Sequence, residues 1–492
     1  VSAPRGLRAR LAGLAGGFRI AYLPILITYF AYGASGVTGI ALLYFQKDML
    51  RLAPADVAAI GFWLGLPWSM KMVVGVASDA HPILGSRRRA YLLAGAACSV
   101  TGYGLLATVV DSRGLYLLAA VIVVVGYMVQ DVVADALSVE VARTDEEIAH
   151  VQTLGRMALL VGTISVGYLS GVLAARLGPR LVFALAGLLP LLVAASALLV
   201  RETRRAPAPA ATAAAGLADP AGTEEDPLGG GRGRLVMAVG LSYAALGVAL
   251  EWFDAPYAQE IVLGVSGVLI VLLLNRVGLS RAVAVAAFVI FLFRATPGVG
   301  QGYSYWAIDA LGFDQRFLGL LAQVGSIVSL LGLIAFRKPI ARKPVSVTLG
   351  WVIVAGTVLS VPNIGLFYGL HDWLGISART LAFIDTTISA PLGQLTMVPL
   401  LVLCAKAAPR GAEATMFAIM ASLMNLALSA SELGTRYLNT AFAVTQQDYS
   451  NLGRLMITVT LIGLVPLLAL PLLRRHERPP AAARTPEPQE AL

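Results

Sequence analysis

Long apolar runs dominate this chain, and they leave it essentially one environment to fold in. A helix needs about 20 mostly apolar residues to cross a bilayer, and the first part of the chain offers six such runs, roughly 22 to 46, 54 to 79, 87 to 110, 114 to 142, 148 to 175 and 178 to 200. Six more follow, at roughly 282 to 310, 316 to 337, 345 to 370, 377 to 406, 411 to 442 and 450 to 473. Between the two sets, residues 201–233 are rich in Ala, Pro, Gly and charge and read as a solvated cytoplasmic linker. Two shorter apolar runs within 234–277 bracket the acidic WFDAPYAQE and read as an inserted helical hairpin. The expected fold is an all-α polytopic membrane protein of about 14 helices. A cytoplasmic N-terminus (1–21) leads into a six-helix bundle (22–200), and after linker and hairpin a second six-helix bundle (278–473) ends in a disordered tail (474–492).

Composition agrees with a bilayer environment. Of 492 residues, 58% are hydrophobic and only 13% charged, against about a quarter charged in soluble proteins. The formal net charge of +9 would point to nucleic acid in a soluble protein, but here Lys and Arg fall between apolar runs, where they set topology. With the N-terminus inside, roughly two dozen basic residues lie on the cytoplasmic side and about nine outside. Both termini are therefore expected in the cytoplasm, and the first run is too long for a signal-peptide core. The Ala- and Arg-rich composition suggests a bacterial inner membrane. Cys98 and Cys404 sit in separate apolar runs, which supports neither a disulfide framework nor a zinc site. No cofactor or metal is expected, and without a phosphate loop, a His-Glu-x-x-His helix or a Gly-x-Ser-x-Gly elbow neither is an enzyme.

In membrane helices the informative side chains are ionisable, because a charge at the helix centre costs about 2.5–3.5 kcal/mol and needs a partner or a wet cavity. Lys71 lies on the second span two turns above Asp79, Asp131 and Asp135 share one face of the fourth, and Arg156 lies on the fifth. Pairing of the aspartates with Lys71 or Arg156 would fix the first bundle. Alternatively, Asp131 and Asp135, with Lys71, bind substrate, or, since two carboxylates one turn apart repel, one of them carries a proton for a coupled carrier. Arg294 falls near the middle of the seventh core span with no carboxylate in its own helix. Thr296, Pro297, Gly298 and Gly300 then interrupt that helix, which is tolerated at membrane depth only where backbone is packed in protein or lines a cavity. Arg294 is expected to take a substrate anion in a bidentate fork, with Tyr303, Tyr305 and Trp306 offering aromatic faces; a helix–helix ion pair is the alternative. Gln130 in the fourth span is mirrored by Gln394 in the tenth, which joins the substrate candidates. Glu432 and Asp385 lie nearer the outer side. All four histidines fall in loops or at span ends, so any proton relay must use carboxylates.

The stretch PWSMKMVVGVASDAHPILGSRRRAY links the second and third spans. In it Gly75 would let two helices approach closely, Asp79 would accept charge-assisted hydrogen bonds, and Arg87, Arg88 and Arg89 would hold that end in the cytoplasm. Its Gly-x-x-x-Asp and basic triplet resemble the corresponding loop of the major facilitator superfamily. With QDVVADALSVEVA, FRATPGVGQGYSYWAIDALGFDQRFLG and APRGAEATMFAIMASLMNLALSASELG in that order, it resembles the signature blocks of the folate-biopterin transporter family. The resemblance covers roughly residues 22 to 473. It implies a major facilitator fold and transport of folates, biopterin or related pterin-like anions. Lys71, Asp131, Asp135 and Arg294 match charged positions of the family blocks, and Glu413 and Asn425 match its late Glu-Ala-Thr and Asn positions. Where the family continues Pro-Trp-x-x-Lys with Pro, this chain has Met72, which implies a straighter second helix.

The expected function is secondary active transport by alternating access. Gly75, Asp79, Arg87, Arg88, Arg89, Arg156, Glu413 and Asn425 are the candidate switch residues, and the partners are the lipid bilayer, a pterin- or folate-like small molecule and a proton as coupling ion. A muropeptide permease and a non-transporting assembly or pigment-delivery factor on the same fold are the alternatives. Charged groups in both bundles argue for a polar cavity, and hence for a carrier.

Overall fold

The computed structural model describes residues 19–200, 231–395, 397–407 and 413–477. Most of the expected linker, terminus and tail, at 1–18, 201–230 and 478–492, lies outside the described residues. No β-strand occurs among the described residues, because in lipid a helix satisfies its backbone N–H and C=O groups within one segment.

The first span consists of α1 (Leu23–Ala34) and α2 (Gly39–Tyr44), joined by a 3-10 turn at Ser35–Thr38 and extended by a π turn over Phe45–Met49. The second is split into α3 (Pro54–Ser69) and α4 (Lys71–Ala80), and α5 (Arg89–Thr108) and α6 (Arg113–Val141) are the third and fourth. α7 (Asp145–Ala186) turns sharply at Gly178, whose φ of +74° is open to glycine and costly for other residues; α8 (Leu188–Ala197) continues beyond it. The hairpin is α9 (Gly231–Trp252) and α10 (Ala258–Val277). The second bundle begins with α11 (Arg281–Arg294), α12 (Gln301–Leu311), α13 (Gln315–Arg342) and α14 (Val345–Phe367). It continues through the short α15 (Leu370–Trp373), α16 (Ala378–Leu395), α17 (Met397–Ala407), α18 (Glu413–Ala441), α19 (Leu452–Ile462) and α20 (Leu470–Glu477). Among the described residues, ten helical stretches are long and apolar enough to cross a bilayer, one of them being Glu146–Ala197, which contains the turn at Gly178. The seventh core helix falls short because it is broken between Arg294 and Gln301.

Glycines set how closely the helices approach. Between α5 and α6, a Cβ added to Gly126 would collide with the Gly95 carbonyl and with Ser99, and between α1 and α7 one added to Gly162 would meet the Phe30 carbonyl. Backbone therefore packs on backbone at both crossings. Gly126→Ala should lower stability by about 1–3 kcal/mol through overpacking, read as an earlier thermal unfolding transition in detergent. Gly75 does not play this part. A Cβ there would stand 3.8 Å from Val132, an ordinary contact, so the close approach expected at Gly75 occurs instead at Gly95 and Gly126.

The two bundles meet along two seams. In one, a Cβ on Gly319 of α13 would fall 2.9 Å from Gly171 of α7, and Gln323 accepts from the Tyr168 backbone N–H at 3.0 Å. Further along the same pair, Thr163 and Ile164 of α7 and Ser326 and Ser329 of α13 line a cavity of about 350 Å³. In the other seam α3 packs on α18, whereas α4 leaves α18 and lies on α6 and α9. Among the described residues the halves thus close at the end carrying Lys47 and diverge toward the Arg88 end, where α4 leaves α18. An apolar cluster containing Phe62, Val262, Ile290 and Met420 docks the hairpin against both seam helices.

Candidate functional site

Four polar groupings occupy these helices, and the first is built on the broken second span. Pro67 has no N–H to give to the helix. The chain tightens after it, with Met70 N–H to the Pro67 carbonyl at 3.0 Å and Val73 N–H to the Met70 carbonyl at 2.9 Å. The span breaks at Met70, where φ is −106° and ψ 12°, so the straighter helix expected from Met72 does not form. The break places Lys71 against Asp131 in an ion pair, with its ammonium 4.9 Å from the centre of the Trp68 ring. Asp135 accepts from the Tyr29 hydroxyl, and Arg156 lies over the Tyr29 ring at 5.9 Å. The Trp68 carbonyl accepts from Asn425 Nδ2 at 3.0 Å, so Asn425 of α18 ties the second half to this break. The Lys71 side chain is 35% exposed and that of Asp131 10%. Lys71→Ala should therefore strand the less exposed charge and cost about 1–3 kcal/mol, discounted for the solvent on Lys71. The double variant with Asp131→Asn should recover most of that loss in a thermal unfolding series.

The second grouping surrounds Arg294. α11 ends at this residue, and the break that follows is held by one face of α18. Ser431 donates to the Thr296 carbonyl at 2.7 Å, Thr435 accepts from the Gly298 N–H at 2.9 Å, and Asn439 donates to the Val299 carbonyl at 3.1 Å. Irregular backbone is thereby satisfied inside protein. The half-buried Arg294 guanidinium reaches Met397 Sδ at 3.7 Å, its buried Nε has no acceptor, and no carboxylate meets it among the described residues. Tyr303 donates to Asn363 at 2.7 Å, whose amide donates to Asp385 at 2.7 Å. The Tyr303 ring lies 5.7 Å from that of Trp306. Tyr305 is fully buried with Lys47 over its ring at 5.9 Å, which puts it in the closure of the Lys47 end rather than beside an open cavity. The side chains of Gln394 and Glu413 lie outside the described residues.

At the Arg88 end, the buried Arg88 reaches Asp79 at 2.6 Å, Glu140 at 2.6 Å and Ser78 at 2.8 Å. This ties the second, third and fourth spans of one half together. Arg87 and Arg89 stay exposed. Glu140 escaped the sequence reading although it lies in the quoted QDVVADALSVEVA; its place at the end of an apolar run was the available signal.

The fourth grouping closes the Lys47 end across the halves. Lys47 pairs with Asp309 at 2.6 Å, Gln446 donates to the Lys47 and Leu52 carbonyls at 3.1 and 2.8 Å, and Tyr44 donates to the Phe313 carbonyl at 3.1 Å. Tyr449 donates to Asp309 at 2.6 Å. Burial, together with that carboxylate, raises the Tyr449 hydroxyl well above its ordinary value, so it remains a donor.

A paired cation in one half, a guanidinium without a described carboxylate at a broken helix in the other, and a seam closed at one end describe a two-bundle architecture. Solved structures share the arrangement. A peptide transporter POT in complex with sulfate matches at TM-score 0.64 and 16% identity over 93% of this chain and 96% of that one. The nucleoside transporter NupG matches at 0.63 and 11%, over 92% and 98%. The fold is that of the major facilitators. Among curated proteins, the folate-biopterin transporter of Synechocystis sp. is 30% identical over 92% of this chain and 81% of its own length. Folate transporter 1 of Plasmodium falciparum is 22% identical over 91% and 78%, and probable folate-biopterin transporter 4 of Arabidopsis thaliana 23% over 95% and 98%. Residues 33–481 match the BT1 family, so this chain, a multi-pass membrane protein with the major facilitator fold, belongs to the BT1 family of transporters.

Proposed function

We propose that the protein carries folate, biopterin or a related pterin-like organic anion across the membrane by alternating access. The observation that carries this reading is Arg294, a half-buried guanidinium with no carboxylate partner among the described residues, in a chain related to folate transporters. Such a group at membrane depth favours an anion as its missing partner. A glutamate tail offers a carboxylate to Arg294, and a pterin ring presents a planar donor edge that suits Asp131 or Asp135. Tyr303 supplies an aromatic face. The distribution of basic residues puts the Arg88 end in the cytoplasm, so the closed Lys47 end and the parted Arg88 end correspond to an inward-facing state. The relatives favour pterins over muropeptides. Uptake of radiolabelled folate and biopterin into proteoliposomes tests the proposal: saturable accumulation of either supports it, and none of either overturns it.

A further inference from the structure

A second cavity, of about 230 Å³, lies between the halves just inside the Lys47–Asp309 closure. Gln46, Gly61 and Tyr116 line it from the first half, and Gly300, Gln301 and Glu432 from the second. Glu432 sits on α18 beside Ser431, which holds the Arg294 break. Its carboxylate fits a notch left by Gly61 of α3: a Cβ there would be 3.0 Å from both Cδ and Oε2. Neither a hydrogen bond nor an ion pair reaches this carboxylate from the described residues.

Among the described residues, no neighbouring element offers this carboxylate a cation. Tyr116 of α6 takes the Gln46 amide at 2.7 Å, and α3 faces the cavity with Gly61 and apolar residues. On α10, Gln259 accepts from Arg436 at 3.0 Å and Glu260 holds Tyr437. On α11, Arg294 turns to Met397, while Lys47 is taken by Asp309. α17 meets α18 at Met424, two turns away. The other membrane carboxylates differ. Asp131 holds Lys71, Asp135 takes Tyr29 with Arg156 nearby, and Asp385 is buried with Asn363 inside one half. Among the described membrane carboxylates, Glu432 is the one that closure presses against the opposite half without a compensating charge from the described residues, an arrangement in which a neutral acid packs more readily than a carboxylate.

We propose that Glu432 is a proton-binding site that links protonation to closure of the Lys47 end. It takes a proton from the aqueous phase while that end is open and becomes a neutral carboxylic acid over which the halves close. Loss of the proton restores the carboxylate and drives them apart. The proposal rests on the alternating-access reading, but its test needs no substrate, so the two fail separately. Spin labels at Asp111→Cys and Gln447→Cys, in exposed turns at the Lys47 end of each half, in a background lacking Cys98 and Cys404, report the separation. As pH rises from about 5 to about 8, the separated population should grow in the otherwise native protein, because carboxylates ionise in that direction. Glu432→Gln should abolish the response and stay closed throughout. Gly61→Ala, whose methyl crowds the closed arrangement, should shift opening to lower pH. An unchanged response in Glu432→Gln, no shift in Gly61→Ala, or no response in the native background would overturn the proposal.

Discussion

Replacing Arg294 by alanine should weaken folate binding by roughly 100-fold or more while leaving the fold intact. Two charge-assisted hydrogen bonds in a bidentate fork contribute about 1.5–3 kcal/mol each, and every 1.4 kcal/mol is about a factor of ten. Stability should hold because the guanidinium has no carboxylate partner among the described residues, where it reaches Met397. Removing a half-buried charge should leave the unfolding temperature unchanged or raise it. Arg294→Lys should recover part of the affinity, since an ammonium keeps the charge and loses the planar fork. Binding measured by ligand-induced thermal shift, beside uptake in proteoliposomes, separates the outcomes. Unchanged affinity in Arg294→Ala would move the anion site elsewhere.

The spans were legible because apolar run length is a one-dimensional property, and the broken seventh helix was legible because Pro297, Gly298 and Gly300 advertise it. Lys71, Arg156 and the two aspartates stood out because few charges compete inside a membrane, but which aspartate takes Lys71 was open in the sequence, and the structure pairs it with Asp131. Which side chains meet across the halves was not legible either. Lys47 and Asp309 each read as a charge at the end of a span, and nothing local says that they pair over the seam. The same limit misassigned the glycines. An apolar run does not reveal which glycine faces a neighbour, so Gly75 drew attention while Gly126 and Gly171 make the close crossings. Tyr303 and Tyr305, two residues apart, point to different neighbours, one toward Asn363 and the other beneath Lys47. The kink at Met70 follows from Pro67, which already breaks the ladder, so replacing the family's proline by Met72 does not straighten the helix.

Asp79→Asn should slow transport several-fold, to about tenfold, while sparing affinity. The carboxylate is one of two described against Arg88, and turning a charge-assisted bond into a neutral amide one costs about 1–1.5 kcal/mol, which would translate into that range of rate. Arg88→Ala should have the larger effect. It leaves Asp79 and Glu140 facing one another at a position where the arginine side chain is only 8% exposed, and like charges without a cation push the second and fourth spans apart. Adding Glu140→Gln and Asp79→Asn to Arg88→Ala should restore stability without restoring speed, because the repulsion is gone but the tie among three spans is still missing. The described partners of Arg88 all lie in the first half, so under the proposed alternating access the cluster would keep the Arg88 end moving as one body, with the seams at Gly171 and Gly61 as the places where the halves would slide or part. Turnover and binding measured on the same preparations decide the matter. If Asp79→Asn abolished binding with the fold intact, the loop would belong to the substrate site and the separation between switching and recognition would fail.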